Sequence, residues 1–288
     1  MKFLIVDAFA EETFGGNPAG VVIIPEGGDF PSEETMVKTA AELRYSETAF
    51  VKKLGPGEFN LRYFTPTTEV DLCGHATVAG FYVLMKMGLI GEGDICVNHT
   101  MAGDIRVAVD NGLVMMDMAS PQLIKKIEGI LELDQLYDVM GSEYDQTLSP
   151  LPAIVSTGLP DIMMPVKTKA ELDALKPDMA ALSKLSEKYK VTGVHAFTLD
   201  GGIFARNFAP LYGIDEEAAT GTSNGALTYY LYINRAIEAP TQLRIIQGEA
   251  MGRPSLINTY ILEDATRETP IIKVGGKAAI LAEGEIHI

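Results

Sequence analysis

Cysteine is scarce in this sequence. Two occur among 288 residues, Cys73 and Cys96, too few for a disulfide framework, so a reducing, cytoplasmic setting is the expectation. Positive charge is also in short supply: 23 Lys and Arg stand against 39 Asp and Glu, a net charge of −16. That balance argues against nucleic acid and anionic membrane as partners. It leaves room for a small anionic metabolite, because backbone dipoles act locally. No apolar run is long enough to span a bilayer. Low-complexity tracts are absent, and Met1–Asp7 reaches a charge before any signal-peptide core can form. Apolar residues are plentiful at 47%, with 28 Gly. This is the composition of a globular enzyme with one large or two medium domains.

The stretch from Arg62 to Gly88 carries most of the information. Arg62–Thr67 reads as a strand that meets Pro66. Ala76–Met87 is apolar on every face and stops at Gly88, which predicts a core helix wrapped by sheet. Between them stand Asp71, Cys73, Gly74 and His75, reactive side chains at the mouth of a buried helix. The first N–H groups of such a helix have no partners inside it, which makes the mouth an anion site.

The arrangement repeats. Arg206-Asn207-Phe208-Ala209-Pro210 echoes Arg62-Tyr63-Phe64-Thr65-Pro66 at an offset of 144 (206 − 62). Thr220-Gly221-Thr222-Ser223 then opens a second apolar helix from Ala226, with Gly221 − Gly74 giving 147. The order strand, glycine turn and buried helix, met twice, points to duplicated domains rather than a solenoid. The expected division is 1–118 and 119–288, with the last strand free to cross back to the first domain. Facing helix mouths would form an inter-domain cleft, a common place for small-molecule sites.

Elsewhere the pattern predicts a helix capped by Ser32 with Met36, Val37, Ala40, Ala41 and Leu43 as its buried stripe, helices over Ile127–Met140 and Lys169–Lys188, and strands through most of the remainder. Phe14-Gly15-Gly16-Asn17-Pro18 is either a tight turn or a loop that brings the Asn17 amide to a ligand. Glu47 opens an apolar strand, Tyr45–Val51. It is either an edge residue facing water or a carboxylate turned into a cleft for proton transfer. Cys96 reads as a small buried hydrophobe, His99 as solvated, and His195 as a residue without an obvious partner. Asp215 and Glu216 fit first-turn charges before the second helix, whereas Glu217 sits nearest the second mouth.

In combination, Val6-Asp7-Ala8-Phe9, Phe14–Ala19, Ser46-Glu47-Thr48-Ala49-Phe50, Phe64-Thr65-Pro66 with Glu69, Cys73-Gly74-His75-Ala76-Thr77, Ala219-Thr220-Gly221 and Gly252-Arg253-Pro254 resemble the phenazine biosynthesis F (PhzF) family over essentially the whole chain. The resemblance implies an α+β fold like that of diaminopimelate epimerase: two pseudo-symmetric domains, each a barrel-like mixed β-sheet around a central apolar helix. It also implies a cofactor-independent isomerase, with Glu47 as acid/base and Gly74-His75 lining the site, and a homodimer as a possible assembly. At the second mouth Glu217 stands in place of the family's aspartate, Ala218 of its proline and Thr222 of its serine. The related epimerases use one thiol at each mouth. Here Cys73 has no counterpart thiol, because Thr220 occupies that place, and a hydroxyl is a far weaker acid.

The expected function is therefore proton transfer within a small carboxylate-bearing metabolite. Glu47, His75 and Glu217 are the candidate catalytic residues. Asn17, Cys73, Gly74, Thr220, Gly221 and Thr222 are candidates for substrate binding. No metal or other cofactor is expected, since His75 has no second ligand at motif spacing. The alternatives are an epimerase or racemase working Cys73 against Glu217, and a metabolite-binding protein without turnover.

Overall fold

The computed structural model describes all 288 residues, which fall into two compact units, Met1–Asp117 with Gly275–Ile288, and Met118–Val274. No helix is long and apolar enough to cross a membrane. Unit 1 runs β1 (Lys2–Ala8), β2 (Asn17–Ile23), α1 (Glu33–Leu43), β3 (Thr48–Gly55), β4 (Glu58–Phe64), β5 (Glu69–Val70), α2 (Gly74–Lys86), β6 (Ile95–Thr100), β7 (Gly103–Asp110) and β8 (Leu113–Asp117). Unit 2 runs β9 (Gln122–Lys126), α3 (Ile130–Val139), β10 (Ala153–Ser156), β11 (Pro160–Pro165), α4 (Lys169–Ala174), α5 (Met179–Tyr189), β12 (Val194–Thr198), β13 (Ile203–Ala209), β14 (Ile214–Glu217), α6 (Gly221–Ile233), β15 (Thr241–Gln247), β16 (Ser255–Leu262) and β17 (Ile271–Gly276). The last strand, β18 (Ala278–Glu285), returns to unit 1 and pairs antiparallel with β1.

The two units share a strand order. In unit 1 the pairing runs β18–β1–β2–β3–β4–β6–β7–β8, with β2/β3 and β4/β6 parallel. In unit 2 it runs β9–β10–β11–β12–β13–β15–β16, with β11/β12 and β13/β15 parallel. Both parallel steps fall in corresponding places. The short strands β5 and β14 hang on β4 and β13. Each mixed sheet folds around one helix: α2 packs against β1, β2, β3, β4, β8 and β18, and α6 against β10, β11 and β16.

The central helices follow from their composition. Val78, Phe81, Val83 and Leu84 of α2 are fully buried, each contributing roughly 1.5–3 kcal/mol by leaving water. The polar groups that go in with them are paired: the Tyr63 hydroxyl, which also accepts from the Asn98 amide, lies 2.6 Å from the Thr77 hydroxyl. In α6 the Thr228 hydroxyl donates to the Asn224 carbonyl and lies 2.6 Å from the Thr259 hydroxyl.

The two Arg-x-Phe-x-Pro strands end in the same device. Arg62 makes a two-pronged pair with Glu69 on β5 and lies over the Phe64 ring. Arg206 does the same with Glu216 on β14 and the Phe208 ring. Glu216 is thus a clamp residue in a strand, not a first-turn charge, and Glu69 is its counterpart at the helix offset of 147 (216 − 69). The clamps fix the short strands that lead into each helix mouth.

Several local expectations are corrected. Lys169–Lys188 is two helices, because Pro177 lacks an N–H and its ring disfavours a helical residue before it. In α1 the buried positions are Met36, Thr39 and Ala40, with Ala41 exposed. The helix expected over Ile127–Met140 is shorter, Ile130–Val139, and residues 122–126 before it form an exposed strand. His99 is not merely solvated, since it bridges Glu58 and Asp104 at 2.5 and 2.7 Å.

Candidate active site

Three segments of unit 1 converge on the N-terminus of α2. The first is the turn before β2. Gly16 has φ of +64°, and a Cβ there would sit 2.2 Å from the Ala8 carbonyl oxygen, so only glycine makes this turn. It delivers Asn17, buried at the first position of β2. The second is Ser46-Glu47, which precedes β3 rather than belonging to it. The third is Cys73-Gly74-His75, with Cys73 at the N-cap position and no side chain capping the helix. The first backbone N–H groups of α2 therefore keep their partial positive charge for an anion.

His75 is the hub. Its Nδ1 lies 3.3 Å from the Asn17 amide nitrogen and 3.3 Å from Cys73 Sγ, and its Nε2 lies 3.3 Å from the Ser46 hydroxyl. An amide N–H can only donate, so Nδ1 accepts and Nε2 carries the proton. Burial holds the His75 pKa below its ordinary value, against the opposing pull of the Glu47 charge. The ring is neutral at neutral pH. Glu47 Oε2 is 3.3 Å from Nε2. The approach lacks hydrogen-bond alignment, however, and Oε2 is buried without a hydrogen-bond partner. The Glu47 side chain is only 16% exposed, so the reading of Glu47 as a water-facing edge residue does not hold. Thiol, imidazole and carboxylate donors all lie within 4.8 Å of one another. The fold thus gives His75 the neighbours that chain spacing did not show.

At the N-terminus of α6, Glu217 ends β14, and its Oε2 accepts from the Thr220 hydroxyl at 2.5 Å. Thr220 is at the N-cap position and Gly221 begins the helix, again without a side-chain cap. Thr222 presents its carbonyl to the Thr157 hydroxyl at 2.9 Å. The organiser here is Gln247, fully buried at the end of β15. Its amide oxygen accepts from Thr220 N–H and from Asn224, and its amide nitrogen donates to the Glu217 carbonyl and the Thr220 hydroxyl. Nothing local in the sequence marks Gln247, because its partners come from β14 and α6. Ser46 was likewise not singled out, although it adjoins Glu47. Behind the second mouth runs a buried chain in which Ser223 bonds Asp161 and accepts from Asn207, whose amide lies 3.2 Å from His195 Nδ1. His195 is therefore partnered.

The duplicated topology allows the two mouths to be compared position by position. Thr48 pairs with Phe64 and Val194 with Phe208, while Gly20 pairs with Thr48 and Ile162 with Val194. Phe64 and Phe208 are equivalent, so Glu47 corresponds to Gly193 and Asn17 to Leu159. The glycine offset makes Cys73 equivalent to Thr220 and His75 to Thr222. Every acid, base and amide of the first mouth is replaced by a hydroxyl, a hydrocarbon or nothing.

Comparison with known proteins agrees with this architecture. The family model described as phenazine biosynthesis-like protein matches residues 6–284. The isomerase YddE of Escherichia coli (strain K12) is 33% identical over 97% of this chain and 96% of its own length. The trans-2,3-dihydro-3-hydroxyanthranilate isomerase of Pseudomonas aeruginosa is 29% identical over 100% of this chain and 99% of its own. Among solved structures, a Bacillus anthracis protein of the PhzF family superposes with a TM-score of 0.87 at 26% identity, covering 100% of this chain and 99% of that one. A probable proline racemase from Agrobacterium radiobacter shares the fold at a TM-score of 0.66 and 14% identity, over 100% and 93% of the two chains. The duplicated sheet-around-helix architecture and the full-length matches together place this chain in the phenazine biosynthesis-like (PhzC-PhzF) family of isomerases.

Proposed function

We propose that this isomerase moves a proton within a small carboxylate-bearing metabolite, with Glu47 as the single acid/base and no cofactor taking part. The observation that carries the reading is the inequality of the two mouths. Glu47, Cys73 and His75 cluster at the first, and their equivalents are Gly193, Thr220 and Thr222. Glu217, the carboxylate of the second mouth, is already bonded by the Thr220 hydroxyl, which favours Glu47 as the base and removal and return of a proton on one face of the substrate. A two-thiol epimerase needs a base at each.

The roles follow from the geometry. The N–H groups at the start of α2 attract the substrate carboxylate and stabilise negative charge that develops as the proton leaves. Glu47, whose Oε2 makes no hydrogen bond, is the carboxylate that takes the proton from carbon. Neutral His75, with its proton on Nε2, lies 3.3 Å from both Glu47 Oε2 and the Ser46 hydroxyl. Glu217 is tied to the Thr220 hydroxyl and is not the base in this reading. The dihydro-hydroxyanthranilate acted on by the Pseudomonas relative is a cyclic, unsaturated carboxylate, and a substrate of that class fits these roles.

A second reading makes Cys73 the base, because its Sγ lies 3.3 Å from His75 Nδ1. Solvent-deuterium exchange into a panel of small carboxylic metabolites, read by NMR, separates the two. The Glu47 mechanism predicts label at carbon with the wild type, at least 100-fold slower label with Glu47→Gln, consistent with loss of a general base, and only a modest slowing with Cys73→Ser. Full exchange by Glu47→Gln would refute it. Loss of exchange in Cys73→Ser, with rapid inactivation by iodoacetamide, would transfer the role to the thiol.

A further inference from the structure

The cluster at the first mouth has the composition and spacing of a three-ligand metal site. We propose that Glu47, Cys73 and His75 bind one soft divalent cation, zinc being the best match, and that an occupied site is a silenced one. Tetrahedral zinc takes nitrogen at about 2.05 Å, carboxylate oxygen at about 2.1 Å and thiolate sulfur at about 2.3 Å. Those lengths put nitrogen and oxygen ligands about 3.4 Å apart, and nitrogen and sulfur about 3.6 Å apart. His75 Nε2 is 3.3 Å from Glu47 Oε2 and 3.9 Å from Cys73 Sγ. All three donor atoms lie within 4.8 Å of one another. Cys73 Sγ now lies nearer Nδ1, at 3.3 Å, than Nε2, so the Cys73 side chain has to swing to the Nε2 side before the three donors share one ion.

An independent observation points to a ligand here. Glu47 Oε2 is buried with no hydrogen-bond partner, an arrangement that costs free energy unless something arrives to meet it. A thiolate and a carboxylate together carry two negative charges, which a divalent ion neutralises. The thiol gives up its proton on binding. His75 then moves its remaining proton to Nδ1, where the Asn17 amide, turned about its Cγ axis, presents oxygen instead of nitrogen. An outer hydrogen bond of that kind orients most histidine ligands. Three protein ligands leave a fourth position open, and the thiol among them selects zinc or cadmium over magnesium or calcium. The ion would occupy the atoms that the proposed isomerisation needs, so metal and turnover exclude each other. The second mouth cannot bind in this way, because its equivalents are Gly193, Thr220 and Thr222.

Binding can be read without any substrate. Full-length protein carrying no histidine tag is stripped with a chelator and titrated with cobalt(II) chloride. A thiolate-to-cobalt charge-transfer band that saturates at one equivalent and is displaced by one equivalent of zinc is the expected result. The band should vanish in Cys73→Ser and persist in Cys96→Ser, and zinc affinity should fall at least tenfold in Glu47→Gln, with circular dichroism confirming that each variant is folded. Absence of the band in wild type, its survival in Cys73→Ser, or unchanged zinc affinity in Glu47→Gln would overturn the site. The silencing claim rests on the isomerase reading and has its own measurement: zinc should slow deuterium exchange at least tenfold, and a chelator should restore it. Exchange unaffected by bound zinc would overturn silencing. A cobalt site in a protein that exchanges no label would instead count against the isomerase reading and leave the metal site standing.

Discussion

Replacing Asp161 with Asn should make unit 2 relatively more stable as pH rises. Asp161 is buried on β11, bonded by the Ser223 hydroxyl, with its other oxygen lacking a partner. Burial outweighs the Ser223 and Gly193 backbone hydrogen bonds and pushes its pKa from 3.8 up to about 6. The folded pKa is the raised one, so the native state holds the proton more firmly than the unfolded chain. The associated stability is fully present below pH 3.8 and is lost as pH rises through about 6. A shift of about two units corresponds to about 3 kcal/mol. The Asn side chain does not titrate. Whatever constant offset its altered bonding to Ser223 introduces, the variant-minus-wild-type stability should climb by about 3 kcal/mol between pH 4 and 7. In a unit of this size that is roughly 6–12 °C in Tm. Urea melts at half-unit pH steps supply the curve. The difference is needed because His195 works the other way. Burial lowers its pKa from 6.5 to about 4, so its contribution is present above pH 6.5 and is lost as pH falls through about 4. The two slopes partly cancel in the wild type alone. A flat difference across this range would refute the assignment and mean that Asp161 keeps one protonation state throughout.

Other outcomes follow from the same geometry. Arg206→Ala leaves a largely buried Glu216 unpaired and strips the Leu172 and Leu175 carbonyls of a donor, so urea denaturation should show a loss of about 3–5 kcal/mol. The equivalent Arg62→Ala, at a more exposed pair, should cost clearly less. Gly193→Ala puts a Cβ 1.8 Å from the Phe208 carbonyl oxygen. It should destabilise unit 2 by about 4 kcal/mol or more, measured as a lower Tm or loss of soluble protein.

The duplication was legible because its signals are local and double: an Arg-x-Phe-x-Pro strand, then a glycine, then a helix without a polar face. Burial on all sides leaves a helix no other composition. Failures came where long-range packing decides. Residues 122–126 show no alternation because every side chain of β9 is exposed, so their pairing with β10 could not be read from their own pattern. Glu47 was read as ambiguous because its enclosure depends on α2, which enters 27 residues later (74 − 47). Gln247 and Asp161 are polar residues at strand ends whose partners lie in distant segments. The helical period across Pro177 was read as continuous, although proline chemistry already forbade it. The mouths themselves were visible. Their inequality became countable only when strand register showed which residue stands opposite which.

Gly193 gives that inequality a direction. Its backbone lies so close to the Phe208 carbonyl that β12 and β13 would have to separate before any side chain could occupy the position. A glutamate cannot be placed at the position equivalent to Glu47 by one substitution, however favourable the chemistry. Attempts to build a two-base enzyme on this scaffold would have to begin with strand spacing, not with the catalytic residue.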